Sequence, residues 1–161
     1  MSSVDAVVSN SRSAFLDNST TPAPPRLQLA VLTCMDARID VFKLLGLHPG
    51  DAHVLRNAGG RATEDVVRSL AISQALLGTR EVMVIHHTDC GLSKLPDSDV
   101  TDQVAQMAGS RPTFEPLTID DEAAAVRADL EHLRQSPYLH PGTSARGFIY
   151  DIAAGRLDEV T

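Results

Sequence analysis

The sequence predicts an α/β protein: a mainly parallel β-sheet flanked by helices, with an antiparallel edge near the C-terminus. Three observations carry this. Strand-like apolar runs at residues 27–33, 52–57 and 81–87 alternate with segments of helical spacing, the order expected of parallel strands joined by helical crossovers. The run "EVMVIHH" is nearly continuous in apolar residues, as for a strand covered on both faces. The segment "ARGFIYDIAAGRLDEV" reads as two strands joined by a turn at Ala153-Ala154-Gly155-Arg156.

Taken in order, residues 1–19 are expected to form a short helix carrying Val4, Val7, Val8, Phe15 and Leu16. "STTPAPPR" then breaks any helix with three prolines and makes an extended arm. "LQLAVLT" is a buried strand, "DVFKLLGL" has helical spacing ending near Gly46, and "HPGD" is a turn. "AHVLRN" is the second strand, closed by Gly59-Gly60. The clearest helix is "TEDVVRSLAISQALLG". Thr63 is placed to cap it, acidic residues fill its first turn, and Gly78 ends it. Val66, Leu70, Ile72, Leu76 and Leu77 are its apolar positions. Beyond the third strand, residues 91–121 are polar, with a helix from about Ser98 to Ala108. "DDEAAAVRADLEHLRQ" is a further helix that stops before Pro137. No internal repeat or second domain is visible, so residues 1–161 read as one domain, with 1–26 as its N-terminal helix and Pro-rich arm.

Composition narrows the function. The chain has 161 residues, 43% hydrophobic and only 4% aromatic with no Trp, so its core is aliphatic. A net charge of -7, with no basic run, argues against nucleic acid or a general phosphate-binding surface. No stretch approaches the roughly 20 apolar residues of a membrane span. The N-terminus lacks the features of a secretory signal, so the cytoplasm is the expected compartment. There, the two cysteines are expected free or metal-bound rather than as a disulfide.

Both cysteines follow apolar runs: Cys34 in "VLTCMDARID" and Cys90 in "VIHHTDCG". In open parallel sheets, sites form beyond the carboxyl ends of the strands. Cys34 lies at one such end, His87 and Cys90 at another. Two thiolates and one imidazole suit zinc, and three protein ligands leave a fourth position for water, as in catalytic sites. Either cysteine alone reads more simply as a small buried hydrophobe, and His87 alone as a hydrogen-bonded histidine. Their coincidence at matching strand ends favours the metal. Asp36 and Arg38, two apart, read either as a loop ion pair or as a carboxylate that manages the metal's water while Arg38 holds it by bidentate hydrogen bonds.

Cys34-Met35-Asp36-Ala37-Arg38 and His87-Thr88-Asp89-Cys90-Gly91 resemble the C-x-D-x-R and H-x-x-C signatures of the β-class carbonic anhydrases. "VLRNAGG" between them resembles that family's R-N-A-G segment. The resemblance covers nearly the whole chain, in the form of the compact prokaryotic branch. It implies zinc held by Cys34, His87 and Cys90, an Asp36–Arg38 dyad, and reversible hydration of carbon dioxide to bicarbonate and a proton by a zinc-bound hydroxide. It also implies a homodimer or higher even oligomer whose N-terminal segments embrace the partner. The same scaffold can hydrolyse carbonyl sulfide or carbon disulfide, and a zinc-binding module without turnover is the remaining alternative. A switch in which Asp36 leaves Arg38 and ligates the metal at lower pH is also expected.

Around this centre, Arg56 and Asn57 are placed either to brace a loop or to help an anion bind. Gly59 serves backbone geometry at the pocket, and Gly91 lets a helix start close to the metal. Asp89 has either a loop or N-cap role or a catalytic one. His86, next to the ligand, is expected to face the other way, packed or hydrogen-bonded.

Overall fold

The computed structural model describes residues 2–12, 14 and 17–161. Five strands form one sheet in the order β2-β1-β3-β4-β5. They are β1 (Leu29–Cys34), β2 (Ala52–Asn57), β3 (Glu81–His87), β4 (Ser144–Asp151) and β5 (Arg156–Val160). The first three pairings in that order are parallel, and β4–β5 is antiparallel. The helices are α1 (Ser3–Ser11), α2 (Val41–Leu45), α3 (Glu64–Leu77), α4 (Asp97–Ala108) and α5 (Glu122–Gln135). This is the expected α/β class, antiparallel edge included.

Side chains alternate across each strand, and helices cover both faces. Ala30, Leu32, Val82 and Val84 pack with Val66, Val67 and Leu70 of α3 and with Val126, Leu130 and Leu133 of α5. On the other face, Val31, Ile85 and Phe148 pack with Val41 and the partly buried Leu44 and Leu45 of α2. Fully burying a side chain such as Leu70 contributes roughly 1.5–3 kcal/mol. This two-sided burial explains the apolar runs in β1 and β3.

The strand order positions the site. From β1 the chain passes through α2 to β2 on one side, then through α3 to β3 on the other. The order therefore reverses at the carboxyl ends of β1 and β3, where open α/β sheets leave a crevice. Cys34 ends β1 and His87 ends β3.

Several elements differ from expectation. The first helix spans Ser3–Ser11 rather than 1–19. A Ser2–Asp5 capping box starts it, and Ser11 turns its hydroxyl back to the Val8 carbonyl (2.8 Å), a competing bond that weakens a helix end. Phe15 and Leu16 lie outside the described residues. β1 begins at Leu29 because Gln28 takes a positive φ of 51° and gives its carbonyl to the amides of Arg80 and Glu81. Thr63 sits at the N-cap of α3, but its side chain makes no capping bond. Ile72 and Leu76 are 43% and 76% exposed. Their expected core places go to Ser73 and Gln74, which are satisfied by hydrogen bonds to Thr79 and Thr143. Among the described residues, no helix is long and apolar enough to cross a membrane.

Candidate active site

Cys34, His87 and Cys90 converge. One donor atom from each lies within 4.8 Å of the others, and all three residues are buried. His87 Nδ1 lies 2.9 Å from the Thr88 carbonyl, which places its proton there and leaves the Nε2 lone pair facing the sulfurs. That buried Nε2 has no hydrogen-bond partner. Unsatisfied buried polar atoms are rare and costly, and this lone pair, within reach of two sulfurs, could serve as a metal ligand. The donor set could hold a divalent ion of zinc's softness.

The two sulfurs push each other's protonation in opposite directions. The hydrogen bond with Cys90 pulls the Cys34 thiol down, and His87 and the amides of Asp36 and Gly59 add to this against burial. The same bond pushes Cys90 up, although the Leu92 amide points at it and opposes the shift. For His87, burial disfavours the charged ring, but the neighbouring Cys34 sulfur outweighs it and the net shift is upward. A metal bound here would displace these protons.

Beside the cluster, Arg38 grips Asp36 at both oxygens: Nε to Oδ1 at 2.9 Å and Nη2 to Oδ2 at 2.7 Å. The Arg38 amide adds a third bond to Oδ1 at 2.9 Å. These bonds hold the Asp36 carboxyl well below the usual carboxylate range and raise the Arg38 guanidinium further. The other side of Arg38 meets Asp89, with Nη1 donating to Oδ2 (2.9 Å) and Nη2 to the backbone carbonyl (3.0 Å). Lys94 pairs with the second oxygen of Asp89. With these two cations, Lys94 the larger influence, the Asp89 carboxyl falls to about 2.

The surrounding loops are braced by the segment after β2. Arg56 gives Nε to the Cys34 carbonyl (2.9 Å), Nη1 to that of Ile39 (3.1 Å) and Nη2 to that of Asp36 (2.7 Å). Its guanidinium is thus spent on the loop that carries Cys34 and Asp36. Asn57 closes the next turn with bonds to the Arg61 amide and carbonyl, and its own carbonyl accepts from the Met35 amide (2.8 Å). Gly59 has φ 76° and Gly60 φ 69°. A Cβ on Gly60 would lie 2.8 Å from the Cys34 nitrogen and 3.1 Å from the Ile85 oxygen, so this turn rests directly on β1 and β3.

Gly59, Gly91, Cys34, Cys90 and Asp36 line a pocket of about 420 Å³ whose other walls include Met35 and Leu92. Arg56 and Asn57 lie behind it, lining a separate cavity of about 520 Å³ that contains none of the Cys–His–Cys donors. Gly91 opens only a short 3-10 turn, Gly91–Ser93, not a full helix.

A second charged cluster lies behind the site, and the sequence reading missed most of it. Asp129 of α5 accepts from Arg61 Nε (2.9 Å) and from the Ala62 amide (3.2 Å), and its carboxylate bonds His86 Nε2 (2.9 Å). His86 does face away from His87, as strand alternation requires. A signal for Asp129 was present: it falls in the apolar stripe of Val126, Leu130 and Leu133, where a lone carboxylate needs buried partners.

Fold and site together define a class of protein: a parallel α/β sheet whose strand ends gather a Cys–His–Cys cluster beside a carboxylate–guanidinium pair. A profile of the carbonic anhydrase family matches residues 29–157. Beta-carbonic anhydrase 1 of Mycobacterium tuberculosis is 48% identical over 140 residues, covering 87% of this chain and 86% of that protein. The crystal structure of a carbonic anhydrase from Streptococcus mutans superposes with a TM-score of 0.90 at 38% identity, covering 100% of this chain and 99% of that one. A carbon disulfide hydrolase of an Acidianus species is 30% identical over 159 residues, covering 83% of this chain and 78% of its own. The chain belongs to the β-carbonic anhydrase family, and with it to the carbonate dehydratase class of lyases.

Proposed function

We propose that this chain hydrates carbon dioxide reversibly to bicarbonate and a proton, using zinc held by Cys34, His87 and Cys90. The observation that carries the reading is the convergence of two sulfurs and the unpartnered His87 Nε2 within 4.8 Å, beside the Asp36–Arg38 pair. Zinc, when bound, supplies a Lewis acid that makes water acidic enough to act as a nucleophile near neutral pH. The chain's own residues do the rest. Asp36 lines the pocket and keeps one lone pair, on Oδ2, beyond the three given to Arg38, so it is the acceptor that aligns the attacking water. Arg38 fixes the direction of that carboxylate. Arg56 holds the loop that carries both Cys34 and Asp36. Met35, Ala37, Ala58 and Leu92 give the pocket apolar walls, which suit a small uncharged linear substrate.

Carbon disulfide is the second reading, favoured by the relative of that name at 30% identity; the 48% identity to a carbonic anhydrase favours carbon dioxide. We further infer a cytoplasmic homodimer or higher even oligomer. Supporting the dimer, α1 buries none of its residues and exposes Val4, Val7 and Val8, an unpartnered apolar stripe. The test of function is stopped-flow hydration of carbon dioxide by the zinc-loaded protein from about pH 6.5 to 9, across the range where metal-activated water ionises. Carbon disulfide turnover is followed in parallel. Hydration that rises with pH is the expected result; zinc-loaded protein inert toward carbon dioxide at every pH sinks the reading.

A further inference from the structure

We propose that Asp89 is a positioning residue: it anchors the far side of the Arg38 guanidinium and so fixes how Asp36 presents its carboxylate to the pocket. The inference rests on the role given to Asp36 above.

Asp36 and Arg38 are two residues apart on one loop. Arg56 ties the Asp36 backbone to β2, but the two paired side chains could still swing as a unit, because within the pair neither side chain is bonded to the sheet. Arg38 is also long and its side chain is 48% exposed, a setting in which an ion pair holds geometry poorly. Asp89 supplies the missing tie. It sits between His87 and Cys90, and it takes two bonds from Arg38, one to its side chain and one to its carbonyl. The dyad is thereby fastened to the β3 end, the frame that carries two of the three Cys–His–Cys residues. The four charges, Asp36, Arg38, Asp89 and Lys94, form one chain of alternating sign.

The backbone sharpens the argument. Asp89 has φ 55°, in the left-handed region. That turn brings Cys90 back toward His87. Aspartate is tolerated there, but glycine meets the same backbone with less strain. The conformation alone therefore does not account for a carboxylate. Lys94 offers a competing account, in which Asp89 merely staples a surface turn.

Asp89→Gly separates the two, since it deletes the carboxylate without straining the turn, and Asp89→Asn keeps the shape but not the charge. Two properties are read in parallel. One is solvent exchange of the Arg38 Nε–H by nitrogen-15 NMR on the purified chain, with and without added zinc. The other is hydration kinetics at matched zinc content. For Asp89→Gly we expect Arg38 Nε–H exchange about fivefold faster, from the freed guanidinium. We also expect kcat about tenfold lower with KM within about twofold, the scale for losing an outer partner of a site residue. Asp89→Asn should fall between, and Lys94→Met should stay near the parent in both. Parent-like exchange in Asp89→Gly overturns the proposal, as does a kcat that falls only in proportion to lost zinc. Were Asp89→Gly not to fold, unchanged exchange in Asp89→Asn would overturn it equally. A parent without hydration activity would refute the proposed function, while the exchange measurement would still decide the role of Asp89.

Discussion

Asp36–Arg38 and Asp129–Arg61 are the same chemical pair in two settings. The first sits at the pocket, with side chains 15% and 48% exposed; the second lies in the core, at 6% and 11%. The first joins neighbours on one loop, so it adds little to the chain's global constraints. The second joins α5 to the segment after β2 and draws in His86 from β3. The difference is in what can move. A buried ion pair cannot be parted without stranding a charge, whereas a partly solvated one can exchange partners at modest cost. The core pair is thus suited to holding the frame and the pocket pair to handling a ligand.

The largest expected effect comes from breaking the core pair. Asp129→Ala leaves Arg61 and His86 facing a cavity without their shared acceptor, and should destabilise the protein by about 3–5 kcal/mol in urea unfolding. The pH dependence has a definite sign. Burial raises the Asp129 pKa, but His86 and Arg61 more than offset it, so the folded value lies below the ordinary 3.8. The unfolded chain then binds the proton more readily. The contribution of Asp129 is complete above 3.8 and is lost as pH falls through the lower folded value. Acid unfolding should accordingly be less steep in Asp129→Ala than in the parent below about pH 4. A loss under about 1 kcal/mol would erase the contrast between the two pairs.

Asp36→Asn is the matching break at the pocket, and its effect should lie in rate. Kcat for hydration should fall about a hundredfold, the lower range for losing a positioned proton acceptor. Zinc content should hold, and the melting temperature should move by less than about 3 °C, because the pair is partly solvated. A variant that melts early but turns over normally would reverse the roles assigned here.

The same contrast explains what could be read from sequence. Strands β2 and β3 were legible to the residue: the apolar run of β3 and the Val54-Leu55 centre of β2 are each bounded by turn residues, which leave little choice of ends. The pocket was legible because its residues come in short local patterns: Cys34, Asp36 and Arg38 on one loop, His87 and Cys90 on another. The core cluster was not, because Arg61, His86 and Asp129 come from three separate segments and meet only once α5 is packed on the sheet. Strand alternation alone turns His86 away from His87, yet nothing local in the sequence names its partner, Asp129. Arg56 stayed open between anion and loop for the same reason: its three acceptors are backbone carbonyls, which carry no sequence signal. Thr63 shows the opposite error, a good capping residue in the right place whose side chain makes no capping bond.

A third pair separates geometry from setting. On the β4–β5 edge, Arg146 binds both oxygens of Glu159, at 2.7 and 2.6 Å, as bidentate as Arg38 on Asp36. Its side chains are 62% and 41% exposed, and neither lines the pocket. Were bidentate geometry the source of function or of stability, Glu159→Gln should resemble Asp36→Asn or Asp129→Ala. Setting predicts otherwise. Water and salt screen the pair, and Arg146 keeps its place over the Phe148 ring, 5.3 Å from the centroid. Glu159→Gln should therefore shift the melting temperature by under about 2 °C, and by still less in 1 M salt, with kcat unchanged. A larger shift that survives high salt would mean that this exposed edge is shielded in the assembled protein. The ranking by burial would then have to be redrawn for the oligomer rather than for the single chain.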